Sequence, residues 1–150
     1  MSTEQAYAPP SPKSGPSGPR AGFGRRLMAA ILDGLLLTVV SVILAYVFGD
    51  ASALYAIVST LVGVAYYVSL EGGRRGQTLG KQALGIRVIG LSDGRPIGYA
   101  RALVRYIGRI FSSIPLFLGY LWMLWDGEKQ TWHDKLASAV VVPTDAYPAD

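Results

Sequence analysis

Asp33 stands inside an otherwise uncharged apolar run, about Leu27 to Phe48, and of all the polar side chains it is the hardest to place without a task. At 1.5 Å per residue it lies about 9 Å into that run. An aspartate within a bilayer costs about 2.5–3.5 kcal/mol on insertion scales, so it requires a partner or a role. Arg26, seven residues earlier, falls on nearly the same helix face, and Ala30 with Gly34 makes a small-xxx-small spacing that admits a close neighbour. The expected partner is a cation from a later helix, Arg105 or Arg109. Two uses remain open for such a carboxylate: an ion pair that fixes helix packing, or a titrating or ion-coordinating group on a transport path.

Arg101, Arg105 and Arg109 are spaced four apart and share one helical stripe. That stripe either snorkels to anionic headgroups and sets topology, or forms a cationic wall that binds an anionic ligand or balances Asp33. Gly76-Gln77-Thr78-Leu79-Gly80-Lys81 invites comparison with a phosphate-binding loop. Its spacing is one residue short, however, and Gln82 stands where Ser or Thr should hold magnesium. These glycines are expected to make turns at the membrane surface. The only histidine, His133, sits beside Asp134, too little for a metal site or a hydrolytic triad. The absence of cysteine removes disulfides, thiol catalysis and thiolate ligands. Neither an enzyme nor a cofactor is expected.

The elements that must hold these residues follow from the apolar runs. The chain has 150 residues, 51% hydrophobic and 16% charged, against roughly 25% charged in a soluble domain. Residues 1–20 contain five of the nine prolines and read as a disordered tail. The first span, about 27–48, measures about 33 Å as a helix, enough for a hydrocarbon core of about 30 Å. Gly49-Asp50 makes a turn, and a second span follows over about 51–70. Residues 71–99 form a basic, glycine-rich loop carrying a strand around 83–89 and a turn at Ser92-Asp93-Gly94-Arg95-Pro96. A second strand-like run, Ala137 to Val142, closes the domain, and 144–150 form a short tail. Between the strands, 100–125 is helical, interrupted at Ser112-Ser113-Ile114-Pro115. It is either one kinked span or an interfacial amphipathic helix followed by a re-entrant one. Only the second leaves Ala139–Val142 free to pair with Ile86–Ile89.

The expected fold is therefore an all-α membrane protein: a transmembrane helical hairpin, a third amphipathic, re-entrant or spanning segment, and a small cytoplasmic β element. The formal charge of +4 is unevenly spread, with twelve of fourteen Lys and Arg at or before Arg109. Because these residues flank apolar spans, the positive-inside rule explains them better than nucleic-acid binding does. It puts the N-terminus in the cytoplasm of a multi-pass protein of the plasma (inner) membrane. The bilayer itself, with anionic headgroups near the basic loop, is the expected partner.

Three separated stretches, GRRLMAAILDGLLL, GQTLGKQALGIRVI and WHDKLASAVVV, in that order and spacing, resemble the RDD family of membrane proteins over about residues 21–143. The resemblance implies that the family's arginine is Arg26, with Arg25 as the alternative. It matches the first aspartate to Asp33 and the second to Asp134, with Asp126 as a fallback. Ser138-Ala139 departs from the Gly-Thr common in the family. The resemblance further implies a polytopic protein of poorly defined role for which ligand transport has been suggested. Two functions are thus expected as alternatives. One is transport of an ion or small ligand through an intramembrane Asp/Arg pair, which needs a homo-oligomer or a larger membrane partner. The other is a non-catalytic membrane adaptor or assembly factor that binds a partner protein.

Overall fold

The fold comes from a computed structural model, which describes residues 14–15, 18–113 and 118–148. Two long helices dominate. Helix α1 (Phe23–Phe48) starts a turn before the apolar run, so Arg25 and Arg26 belong to it, and it ends at Gly49, whose φ of +80° suits a residue without a Cβ. Helix α2 (Ala53–Gly72) is capped by Ser52, whose Oγ accepts from the Tyr55 amide at 3.0 Å. Both are long and apolar enough to cross a membrane. Leu35, Val39, Val42, Ile43 and Val47 of α1, and Leu54, Ile57 and Leu61 of α2, are exposed. A hairpin that shows its aliphatic side chains outward in this way is suited to lipid, where every backbone group is already satisfied within the helix.

Beyond the hairpin the chain builds a compact base. Helix α3 (Leu79–Ala83) leads into a strand, Ile86–Gly90, that pairs antiparallel with Ala139–Pro143, with Val88 opposite Val141 and Ile89 opposite Val140. The pairing of 86–89 with 139–142 that the re-entrant reading of residues 100–125 allows is therefore present. All ten residues of the two strands are buried, and the base has its own apolar core around Ala21, Ala29, Val88, Ile97, Ala102 and Val141.

Between the strands lie helix α4 (Gly98–Ser113) and helix α5 (Leu118–Leu121), the latter continuing as a 3₁₀ turn over Trp122–Leu124. The two directions differ by 112°. The segment thus leaves one strand and returns to its partner in the same small sheet. Helix α6 (Trp132–Leu136) precedes the second strand.

Two features of the base were not expected. The unit 76–90 recurs as 129–143. In each copy a positive-φ residue (Gly76, +61°; Lys129, +54°) precedes a Gln-Thr pair. A five-residue helix capped by that threonine follows, then a second positive-φ residue (Gly85, +62°; Ser138, +49°), then the strand. The glutamines match as well, Gln77 donating to the Ile86 carbonyl at 2.9 Å and Gln130 to that of Ala139 at 2.8 Å. Equivalent residues Val88 and Val141 face each other in the sheet, so the copies are related by a local two-fold. The tails are also better anchored than their composition suggests. Most of 1–20 lies outside the described residues, but Ser14–Gly15 pairs with Gly18–Pro19, and Arg20 is buried against Glu128 at 2.6 Å. At the other end, Thr144 donates its amide to Gly85 at 2.9 Å, and the Arg87 guanidinium reaches the Pro148 carbonyl at 2.6 Å. Residues 149–150 lie outside the described residues.

Candidate functional site

Asp33 is buried, as its cost in lipid requires, but its partners are not the expected ones. It does not pair with Arg105 or Arg109. Its Oδ1 accepts from the Tyr66 hydroxyl at 2.6 Å and the Gly80 amide at 2.8 Å, and its Oδ2 from the Thr78 hydroxyl at 2.6 Å. The loop 71–99 folds back so that the first turn of α3 presents its orphan amide and its capping hydroxyl to α1. An anion at a helix N-terminus is favoured electrostatically, and three donors replace the water the carboxylate gave up. Gly80 permits this approach: a Cβ there would stand 2.2 Å from the Ala29 carbonyl oxygen. The glycine of the mock phosphate loop therefore marks a helix contact, while Gly76 does make the turn expected of it.

The arginine stripe also departs from its simplest reading. Arg105 is fully buried, and Leu103, Val104, Ile107, Ile110 and Phe111 of α4 are exposed. The helix turns its charged face to the protein and its apolar face outward, the reverse of a helix in water. Arg105 bridges two carboxylates. Its Nε and Nη2 reach Asp134 Oδ1 at 2.9 and 2.6 Å, and its Nη1 pairs with Glu71 Oε2. Asp134 Oδ2 accepts from Arg26 Nη2 at 2.7 Å and, in a capping box, from the Thr131 amide at 3.1 Å. Glu71 Oε1 accepts from Lys81 Nζ at 2.7 Å and Arg109 Nη2 at 3.0 Å. Arg101 lies apart, donating to the carbonyls that end α6, Ala137 at 2.8 Å and Ser138 at 2.5 Å.

Arg26, Arg105, Arg109 and Asp134 thus form one buried network. Glu71 and Lys81, which sequence reasoning passed over, complete it. Lys81 and Asp134 occupy equivalent positions in the two copies of the repeated unit, with opposite charge. Burial pushes the Asp134 carboxyl up, but Arg26 and Arg105 outweigh it and hold the group well below the usual carboxylate range. Burial lowers the Lys81 ammonium to about 8, with Arg109 and Arg105 adding to the effect and Glu71 opposing it. Burial also keeps His133 well below its ordinary value; Asp134 opposes this, and the neighbouring arginines reinforce it.

His133 lies between two hydroxyls, Nδ1 at 3.3 Å from Ser112 Oγ and Nε2 at 3.0 Å from Thr131 Oγ1. Ser112 is fully buried, donates to the Gly108 carbonyl at 2.9 Å and is covered by Gly119, where a Cβ would meet its Cβ at 2.6 Å. Among the described residues there is no cluster of three or more His, Asp or Glu side chains able to hold a metal ion.

Beside the network lies a cavity of about 410 Å³ lined from α1, α2, α4, α5, the 3₁₀ turn and the two short helices. Its wall carries the side chains of Arg26, Lys81, Arg105 and Arg109 with Asp33 as the one carboxylate, alongside Tyr67, Tyr120, His133 and apolar Phe23, Leu27, Leu121 and Met123. Glu71 and Asp134 stand behind the cations.

Arg26, Asp33, Lys81 and Asp134 of this arrangement lie in the three sequence stretches quoted above, whereas Glu71, Arg105 and Arg109 lie outside them. The RDD family model matches residues 20–138. The chain belongs to the RDD family. Among relatives of this RDD protein, the proline-rich antigen homolog of Mycobacterium tuberculosis is 37% identical over 84 residues, 54% of this chain and 35% of that one. The proline-rich antigen of Mycobacterium leprae is 34% identical over 86 residues, covering 55% and 34%. The uncharacterised protein YxaI of Bacillus subtilis is 25% identical over 147 residues, 81% of this chain and 96% of its own length. The region matched spans about a third of the mycobacterial relatives. No solved structure matches the chain.

Proposed function

We propose that this RDD protein is a non-enzymatic transport component in which the charge-walled cavity is the ligand site. One observation carries the reading: a cavity of about 410 Å³, within the range of small-molecule sites, faced by five Arg, Lys and Asp side chains at the end of an otherwise apolar hairpin. Charged groups at membrane depth are costly and accompany substrate paths or proton relays. The intramembrane Asp/Arg arrangement is read here as Arg26, Arg105 and Arg109 about Asp134 and Glu71, with Asp33 as the strut that fixes α3 on α1. A path needs more helices than one hairpin offers, so the working unit is an oligomer or a complex with a larger membrane partner. Arg20, Arg25, Arg26 and the basic residues of 71–99 gather at the network end, whereas the hairpin turn carries only Asp50. The positive-inside rule therefore supports a cytoplasmic N-terminus in the plasma membrane, and the strand pairing supports a re-entrant α4–α5 with the C-terminus on that same side.

The test is current from proteoliposomes adsorbed on a solid-supported membrane during jumps of sodium phosphate, sodium chloride and potassium gluconate. A protein-dependent transient that is lost in Arg109→Gln, with the variant equally abundant and folded, supports transport. If folded wild-type protein gives no transient with any jump, the transport reading falls and the membrane-adaptor reading replaces it.

A further inference from the structure

The cavity's charge and its spare donors specify what it takes. Four cations, Arg26, Lys81, Arg105 and Arg109, meet three carboxylates, Asp33, Glu71 and Asp134, so the buried cluster keeps an excess positive charge in surroundings of low dielectric. Asp33 does not offset that excess at the cations, because its oxygens are engaged by Tyr66, Thr78 and Gly80. The donors are unevenly used. Arg105 is the most engaged, each of its three nitrogens being bonded to Asp134 or Glu71. Arg109 gives one bond among the described residues, to Glu71 at 3.0 Å, out of the five N–H groups of a guanidinium. Its Nε is buried with no partner, and the guanidinium is held over the Tyr67 ring at 4.0 Å. Lys81 gives one bond of its possible three, to Glu71 at 2.7 Å. Arg109 and Lys81 meet at the same Glu71 oxygen from different helices, and both line the cavity.

We propose that this cavity binds a phosphate-type oxyanion, as a free phosphate or as the phosphodiester of a lipid headgroup, gripped chiefly by Arg109 and Lys81, with Arg26 a further cation of the lining. Guanidinium forks match the paired oxygens of such a group, and an ammonium supplies a compact charge beside them. A chloride ion would leave most of the volume empty. The mixed wall, with Leu27 and Leu121 both cavity-lining and exposed on the outer surface, accommodates a headgroup that enters from the bilayer as readily as a free ion. The inference rests on reading the cavity as the ligand site, but not on transport through it.

The test is equilibrium dialysis of radiolabelled inorganic phosphate against the full chain in maltoside micelles, which contain no phosphate, at constant ionic strength set with gluconate. A second arm uses dihexanoyl-phosphatidylglycerol, with dihexanoyl-phosphatidylcholine and acetate as competitors. Saturable phosphate binding at one site per chain, weakened about 10- to 100-fold by Arg109→Gln and less by Arg109→Lys, is the expected result. Saturation by phosphatidylglycerol alone, with the same response to both variants, supports the same site with a lipid source. Lys81→Gln is a second variant, should Arg109→Gln fail to fold. Equal binding of acetate and phosphate, or no binding of either ligand to folded wild-type protein, overturns the inference. Phosphate binding with no transient on any of the jumps removes the transport reading and leaves the site. A current on sodium chloride jumps without oxyanion binding does the reverse.

Discussion

Replacing Asp134 by Asn removes one charge and almost no volume, and the structure says what that charge holds. Asp134 is fully buried and accepts from Arg105 at 2.6 and 2.9 Å and from Arg26 at 2.7 Å. Without its charge, Arg26 is left with neutral acceptors, the Lys129 carbonyl at 3.0 Å, the Thr131 hydroxyl at 3.4 Å and at most an amide oxygen, and Arg105 keeps Glu71 as its one carboxylate partner. Removing one member of a buried ion pair costs about 3–5 kcal/mol, chiefly because the remaining charge is stranded. That is a large part of a typical total stability of about 5–15 kcal/mol. For a chain of this length it corresponds to a fall of about 6–20 °C in unfolding midpoint. Trp122, Trp125 and Trp132 cluster near the site, with ring centroids 5.4 and 6.0 Å from Trp122, so intrinsic fluorescence in maltoside micelles reads the transition. Asp33→Asn is the internal control. Its three donors are neutral and an amide oxygen still accepts, so the cost is about 1–3 kcal/mol. A loss below about 1 kcal/mol for Asp134→Asn, or a larger loss for Asp33→Asn, would show that the network does not hold the base together.

Other outcomes follow from the same geometry. Gly80→Ala should strongly reduce folded protein, since its Cβ would meet the Ala29 carbonyl at 2.2 Å, whereas Gly34→Ala, with nothing within 4 Å, should be close to neutral; membrane abundance and unfolding midpoint check both. Acidification should destabilise through His133. The unfolded side chain gains a proton below about 6.5, while burial and the neighbouring arginines keep the folded one neutral. The stability His133 contributes is therefore present above that pH and lost as pH falls toward the lowered folded value, by about 1.4 kcal/mol per unit. His133→Gln should flatten the midpoint's pH dependence between 6.5 and 5, and an unchanged slope would count against this account.

The sequence made the hairpin plain because uncharged runs the length of a bilayer have few other uses. The burial of Asp33 followed for the same reason, whereas the strand pairing belonged to one of two readings of residues 100–125, the one in which neither strand is left alone. The partner of Asp33 was not legible. The cost argument demands donors but does not require them to be cations, and here a threonine cap, a tyrosine and a glycine amide suffice. Glu71 was hidden because an acid at the end of a span looks solvated, although it is buried beneath Arg105 and Lys81. The facing of α4 was open, because amphipathicity gives a helix two faces without saying whether water or lipid meets the polar one. Helices α3 and α6, five residues each, are too short for periodicity. Their signal lay in the repeated Gln-Thr: Gln77-Thr78 and Gln130-Thr131, each followed by a short helix, a positive-φ turn and a strand.

Residues 98–124 must leave and return on one side of the membrane, because only then do the charged face of α4 and the base of the hairpin line one cavity. With no native cysteine, single cysteines at exposed Asp50, Asp93 and Asp145 can be labelled with a membrane-impermeant maleimide from either side of sealed vesicles. The account predicts that positions 93 and 145 react from one side and position 50 from the other. Labelling of position 145 from the same side as position 50 would make 98–124 a true third span and would dissolve both the sheet and the site.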